Sequence, residues 1–258
     1  MLVASWNVNS VRVRLDQILQ WIDEHRPDVL GLQETKVPDD AFPREELESA
    51  GYQVHCSGQK TYNGVALLSR GEARDIVTDL ADFDDPQRRL IGATIGETRI
   101  YNVYVPNGQS VGSDKFSYKL NWLNALQQQL SAERDVHEKL LVMGDFNIAP
   151  HDRDVHDPKG WEGNVLVSDD EREALARISS LGLADSFRLF QQGDESYSWW
   201  DYRFANFRRN RGLRIDLLLA SKALCEYCSA ATIDRIPRSW ERPSDHAPIT
   251  ATFDFQTT

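Results

Sequence analysis

The sequence predicts an α/β fold in which two β-sheets pack together with helices outside. Short apolar runs of strand length alternate with one-faced helical stripes along the chain. The same rhythm recurs in both halves, without the fixed period of about 20–50 residues that marks a solenoid. No low-complexity linker divides them, so one domain over residues 1–258 is expected.

Leu2 to Val8 reads as the first strand. Leu15, Ile18, Leu19 and Ile22 then recur at helical spacing, and Pro27 ends that helix. Asp28 to Glu34 reads as a second strand, and Tyr62–Ser69 and Ile91–Pro106 as further ones. Phe116, Leu120, Leu123 and Leu130 stripe a long helix before the buried strand Leu140–Met143. Ser168 followed by Glu171 has the form of a capping box opening a helix through Leu181. Strands are expected at Tyr197–Tyr202, Ile215–Ala220 and Ile249–Phe255.

Composition narrows the function. The 258 residues are 41% hydrophobic and 27% charged, which excludes a disordered or membrane-embedded chain. A chain of this length buries roughly three quarters of its unfolded surface without staples. The net charge of −11 excludes an overall cationic coat, so a nucleic-acid partner must be gripped by a local basic patch or a bound metal. Three cysteines argue against a disulfide scaffold; Cys225 and Cys228 form a lone C-x-x-C with no second pair, and ordinary thiols are expected. The N-terminus has no signal-peptide pattern and no apolar run reaches the ~18 residues of a membrane span. A cytoplasmic protein is expected, nucleoid-associated in a prokaryote.

The polar residues of interest lie at the ends of apolar strands, where layered α/β folds place their sites. Singly they are weak signals. Asn7 and Asp145 suit turns, and Glu34 suits a solvated surface. Asp216, beside Ile215 and Leu217, is harder to dismiss because a buried carboxylate needs a partner. Asp245 and His246 stand side by side before the last strand. Together, Glu34, Asp145, Asp216 and Asp245 would repel one another in one cleft unless a cation or proton compensates. Oxygen ligands without a Cys/His cluster suit Mg²⁺, with Mn²⁺ as a substitute. Asn7, Asn9, Asn107 and Asn147 can orient water and phosphate oxygens without adding charge. This is an inventory for metal-assisted phosphodiester hydrolysis. A G-x-S-x-G elbow and a G-x-x-x-x-G-K-[ST] loop are both missing from the sequence.

Six segments, in order, resemble the exonuclease III family of abasic-site endonucleases, within the endonuclease/exonuclease/phosphatase superfamily. They are Ser5–Asn9, Gly31–Lys36, Asn102–Gly108, Met143–Ile148, Gly212–Leu219 and Pro243–Pro248. The resemblance implies a four-layer α/β sandwich, two packed mixed sheets flanked by helices, with the site at one edge. It implies Glu34 as principal metal ligand, with Asn7 and Asp245 completing or adjoining that site. Asp145 would position and deprotonate water, with Asn147 helping to hold it; both, like His246, are expected beside the metal. His246, oriented by Asp216, would contact the scissile phosphate, and a carboxylate on one ring nitrogen favours the imidazolium that does so. Tyr104 and Asn107 would bind phosphate or assist the leaving oxygen, with Lys36 behind the ligands and Asn9 where some relatives carry Asp.

The segment from Tyr197 to Arg211 interleaves aromatics with arginines, a combination suited to stacking on nucleic acid and binding its phosphates. The plainer reading is a Trp-rich core strand and a solvated basic loop. The family resemblance makes Trp199 the aromatic wall of an abasic-sugar pocket, with Arg203, Arg208 and Arg209 on phosphates. Leu213 stands where some relatives have Trp, leaving the opposite wall more open and favouring 3′→5′ exonuclease activity. The expected partner is double-stranded DNA with abasic or blocked 3′ ends, bound by a monomer.

Overall fold

The computed structural model describes residues 1–255. Among these, twelve strands lie in chain order. They are β1 (Leu2–Asn7), β2 (Val29–Gln33), β3 (Gln53–Ser57), β4 (Val65–Ser69), β5 (Ala73–Val77) and β6 (Leu90–Ile95). The second half adds β7 (Thr98–Tyr104), β8 (Leu140–Asp145), β9 (Leu183–Asp185), β10 (Asp216–Ser221), β11 (Cys228–Ile233) and β12 (Ile249–Phe253). The helices are α1 (Val11–His25), α2 (Arg44–Ser49), α3 (Asp114–Val136), α4 (Pro158–Trp161), α5 (Asp169–Ser179) and α6 (Lys222–Cys225). One six-stranded sheet has the order β11-β12-β1-β2-β4-β3 and the other β5-β6-β7-β8-β10-β9. Both are mixed: β1–β2 and β7–β8 run parallel, and the remaining pairs are antiparallel.

Period-2 alternation divides each strand between two cores. Val3, Val29, Val65 and Leu67 face the second sheet, meeting Ile91, Ile100, Leu141, Met143 and Leu218. Their neighbours Ala4, Trp6, Leu30, Leu32 and Leu68 turn outward onto Ile18, Trp21 and Ile22 of α1. On the other side Tyr101, Val103, Val142, Leu217 and Leu219 pack beneath α3 and α5. These strands are therefore apolar on both faces, which is why they read as continuous runs. The sheets pack tightly at Gly31, where an added Cβ would lie 2.8 Å from Asn102 and Met143 side-chain atoms. Asn102 bridges the layers there, donating to the Leu32 and Ala66 carbonyls at 2.9 Å each.

Local signals set the helix ends. Ser113 Oγ accepts from Phe116 N at the start of α3, and Ser168 and Glu171 form the expected capping box of α5. Three expectations change. Ile91–Pro106 is two antiparallel strands joined by a two-residue turn at Gly96-Glu97. Tyr197–Tyr202 forms no regular strand; only Trp199 makes isolated bridges, to Leu213 and to His246. Strands β3, β5, β9 and β11 add to those expected from the sequence. Cys56, Cys225 and Cys228 are all free, and among the described residues no helix is long and apolar enough to cross a membrane.

Candidate active site

The strand register brings the site together. Asn7 ends β1 opposite Gln33, so Glu34 emerges beside it from the parallel neighbour. In the second sheet Tyr104 and Asp216 both stand level with Asp145, on the two strands flanking β8. His246 precedes β12, whose Ile249 pairs with Ser5 of β1. Residues from six separate segments thus meet at one edge of the paired sheets.

Asn7 ties the two sheets. Its Nδ2 donates to Glu34 Oε1 and to Asp145 Oδ2, each at 2.9 Å. Lys36 Nζ pairs with Glu34 Oε2 at 2.8 Å. Glu34 itself adopts φ +52°, a left-handed backbone that costs a non-glycine residue energy. Asp145 is fully buried. Its Oδ1 accepts from the Asn147 backbone N–H at 2.9 Å, and its Oδ2 from Asn147 Nδ2 at 3.3 Å. Asn107 Nδ2 in turn donates to Asn147 Oδ1 at 3.2 Å.

His246 Nδ1 lies 2.9 Å from Asp216 Oδ2, while Nε2 faces Asp145 Oδ2 at 3.7 Å. Burial opposes charge on this imidazole, but Asp216 and then Asp145 outweigh it and raise its pKa to about 10. The imidazolium is the favoured form at neutral pH. Burial pushes the Asp145 carboxyl up to about 7; His246 opposes this, and the Asp216 and Glu34 carboxylates add to it. The Tyr104 phenol is held well above its ordinary value by burial and then by Glu34 and Asp145, so it stays a proton donor.

One ligand atom from each of Glu34, Asp145 and His246 lies within 4.8 Å of the others. Glu34 and Asp145 are the oxygen donors of this group, the kind of ligand a hard cation takes. Asp145 and His246 are buried, and Glu34 is the part of this trio open to solvent. The donor set therefore fits a hard divalent ion. Asp245 lies outside the trio; its oxygens accept from Asn9 Nδ2 at 2.9 Å and Trp199 Nε1 at 3.0 Å.

Around this centre Trp199 is half-buried, its ring 6.5 Å from that of His246. Arg208 and Arg209 are exposed, while Arg203 is engaged by Asp201. Leu213 corrects an expectation: its side chain is wholly buried among Ala149, Val155, Leu166 and Ile215, so it lines no open pocket. Trp200 is likewise core, packed edge-on against Phe207 at 5.1 Å.

The endonuclease/exonuclease/phosphatase family model matches residues 4–246. An exodeoxyribonuclease III of Haemophilus influenzae is 41% identical, covering 96% of this chain and 98% of the relative. The chain belongs to the endonuclease/exonuclease/phosphatase family, in its exonuclease III branch. A Neisseria 3′ phosphatase bound to a product DNA hairpin superposes with TM-score 0.97 at 44% identity, covering 99% of this chain and all (100%) of that one. An AP endonuclease from Archaeoglobus fulgidus gives TM-score 0.95 at 38% identity, covering 99% and 100%.

Two members of this exonuclease III-type site escape sequence reading. Ser198 Oγ donates to Asp216 Oδ2 at 2.6 Å and accepts from the Ile215 and Asp216 backbone N–H groups. It fixes the carboxylate that holds His246. Arg89 stacks over the Tyr104 ring at 4.7 Å and donates to its carbonyl. A serine between aromatics and an arginine before a strand carry no local mark of such roles; only the tertiary contacts reveal them.

Proposed function

We propose that this DNA-repair nuclease hydrolyses the phosphodiester 5′ to abasic sites in duplex DNA. We propose 3′→5′ exonuclease and 3′-end-cleaning activities alongside, carried out by a monomer whose whole chain is one catalytic domain. The observation that carries the chemistry is the convergence of Asp145, the Asp216-held His246 and Glu34 between the two sheets.

Glu34 and Asp145 would hold Mg²⁺, or Mn²⁺ in its place, with Asn7 setting their separation. The bound ion would supply charge neutralisation at the phosphate. Asp145, oriented from both oxygens by Asn147, takes the proton of the attacking water. His246, held by Asp216 and Ser198, presents Nε2–H to a non-bridging phosphate oxygen. The Tyr104 phenol and the Asn107 amide stabilise the phosphate and the leaving oxygen. Asp245 positions Trp199 and Asn9 at the rim, and Lys36 holds Glu34 from behind.

DNA recognition rests on Trp199 together with Arg208 and Arg209, and Arg203 joins them once DNA draws it from Asp201. An extrahelical sugar without its base fits beside a flat aromatic wall more readily than a complete nucleotide, and flipping it costs less. Relatives of this family that act on small phosphate esters supply the competing reading. Comparing hydrolysis of an abasic duplex with that of a small phosphodiester, under Mg²⁺ titration of wild type and Glu34→Gln, separates them. The expected result is duplex-specific cleavage and a higher Mg²⁺ requirement in the variant. Equal turnover of the small ester, or full activity of the variant at low Mg²⁺, would refute it.

A further inference from the structure

Lys119 is a wholly buried cation that the chemistry above does not use. It lies on α3, outside the segments that resemble the family's motifs. Its ammonium has three donors, and three acceptors surround it. Nζ donates to the main-chain carbonyl of Asn147 at 2.7 Å and to that of Asn107 at 3.2 Å. The third partner is Glu171 Oε1, in a short contact. Glu171 is wholly buried as well, and accepts from Leu166 N, Ser168 N and Ser168 Oγ at the start of α5.

One ammonium thus joins the loop after β7, the loop after β8 and the capping box of α5. The two loops are those carrying Asn107 and Asn147. Asn147 sits at φ +50°, a left-handed conformation that asparagine tolerates. Its side-chain amide spans Asp145 and the Val105 carbonyl, and its oxygen takes the Asn107 amide. The Lys119 stem packs against Gly108, where φ is +91° and an added Cβ would lie 3.1 Å from Lys119 Cδ. A buried ion pair is a poor stabiliser compared with apolar residues of the same volume, so stability alone gives little reason for a charge here. Two inward carbonyls from loops forty residues apart do give one.

We propose that Lys119 is a positioning residue for phosphodiester hydrolysis, acting through Asn147 and Asn107 to fix how Asp145 is presented to water. This rests on the role given above to Asn147. The test is a double-mutant cycle on kcat, with Lys119→Met, Asn147→Ala and their combination. It is read on an abasic duplex and on the 3′ end of an intact duplex, below the thermal transition of every variant. Lys119→Met is expected to lower kcat about 10–100-fold, as loss of outer supporting partners does, with KM for DNA little changed. In the combination, kcat should fall no further than in Asn147→Ala alone. Should Lys119→Met not fold, Lys119→Met/Glu171→Gln removes both charges, keeps the capping-box pattern and enters the same cycle.

Wild-type kcat in folded Lys119→Met, or losses that multiply in the combination, would overturn the proposal. Wild-type kcat in Asn147→Ala would overturn it through the residue it acts upon. An abasic duplex left uncut by wild type refutes the substrate reading instead, and the cycle is then decided on the 3′ end.

Discussion

At the residue scale the site works by opposing environments on neighbouring groups. His246 is buried, yet two carboxylates keep it cationic; Asp145 is buried, yet Asn7 and Asn147 keep it oriented. Asp145→Asn retains volume but cannot take a proton, and its amide NH2 cannot accept the bonds that one carboxylate oxygen receives from Asn7 and Asn147. Its turnover should fall by roughly 10²–10⁴-fold, with DNA affinity near wild type in a binding titration. His246→Ala and Asp216→Ala each disable one unit, so the double variant should lose far less than the product of the single losses. Single-turnover kinetics on all three variants checks this, and multiplicative losses would mean that the two residues act separately. The carboxylates, histidine and asparagines of this centre are legible as residue types at strand ends. Ser198 is not, because its importance lies only in touching Asp216. Leu213 misleads for a related reason: one bridge away from Trp199, a hydrophobic side chain suits a pocket wall, and it packs inward instead.

At the element scale, legibility follows burial. The four strands that the sequence does not announce, β3, β5, β9 and β11, are the four sheet edges. An edge strand has one neighbour and a wetter face, so it needs no continuous apolar run; β5 exposes Arg74, Asp75 and Ile76. Interior strands are covered on both faces and stand out as apolar runs. The loop joining β8 to α5 is held by a different device. Asp154 is buried, accepts from Arg214 Nε at 2.7 Å and also pairs with Arg188. Burial would raise its carboxyl, but Arg214 and Arg188 outweigh that and hold it below the ordinary carboxylate range. Its folded pKa is depressed, so the stabilisation is complete above the unfolded value of about 3.9 and is lost as pH falls through the lower folded value. Asp154→Ala leaves Arg214 buried with half its partners and should cost about 3–5 kcal/mol in chemical denaturation at neutral pH. The deficit against wild type should shrink in strongly acidic buffer; a deficit independent of pH would show that the carboxylate charge is not what stabilises this loop.

At the scale of the whole molecule, a chain of net charge −11 must bind a polyanion through a small part of its surface. Arg208 and Arg209 are exposed on the loop beyond Trp199 and set two adjacent positive charges on an acidic chain. Replacing both with Ala should lower the slope of log affinity against log salt by about two, one for each phosphate no longer neutralised. An unchanged slope would place DNA elsewhere. The order of the six motif segments is readable along the chain; their convergence is not, because it depends on register. Asp216 meets Asp145 only through antiparallel pairing of β10 with β8, and Glu34 meets Asn7 only through β1 beside β2.

The most direct test of the whole is incision of a duplex carrying one tetrahydrofuran abasic analogue, resolved to the nucleotide, with Mg²⁺ or with EDTA. Cleavage at the single bond 5′ to the analogue, abolished by EDTA and by Asp145→Asn, is the expected result. Cleavage that persists in EDTA, or that falls elsewhere in the duplex with the 5′ bond intact, would contradict it.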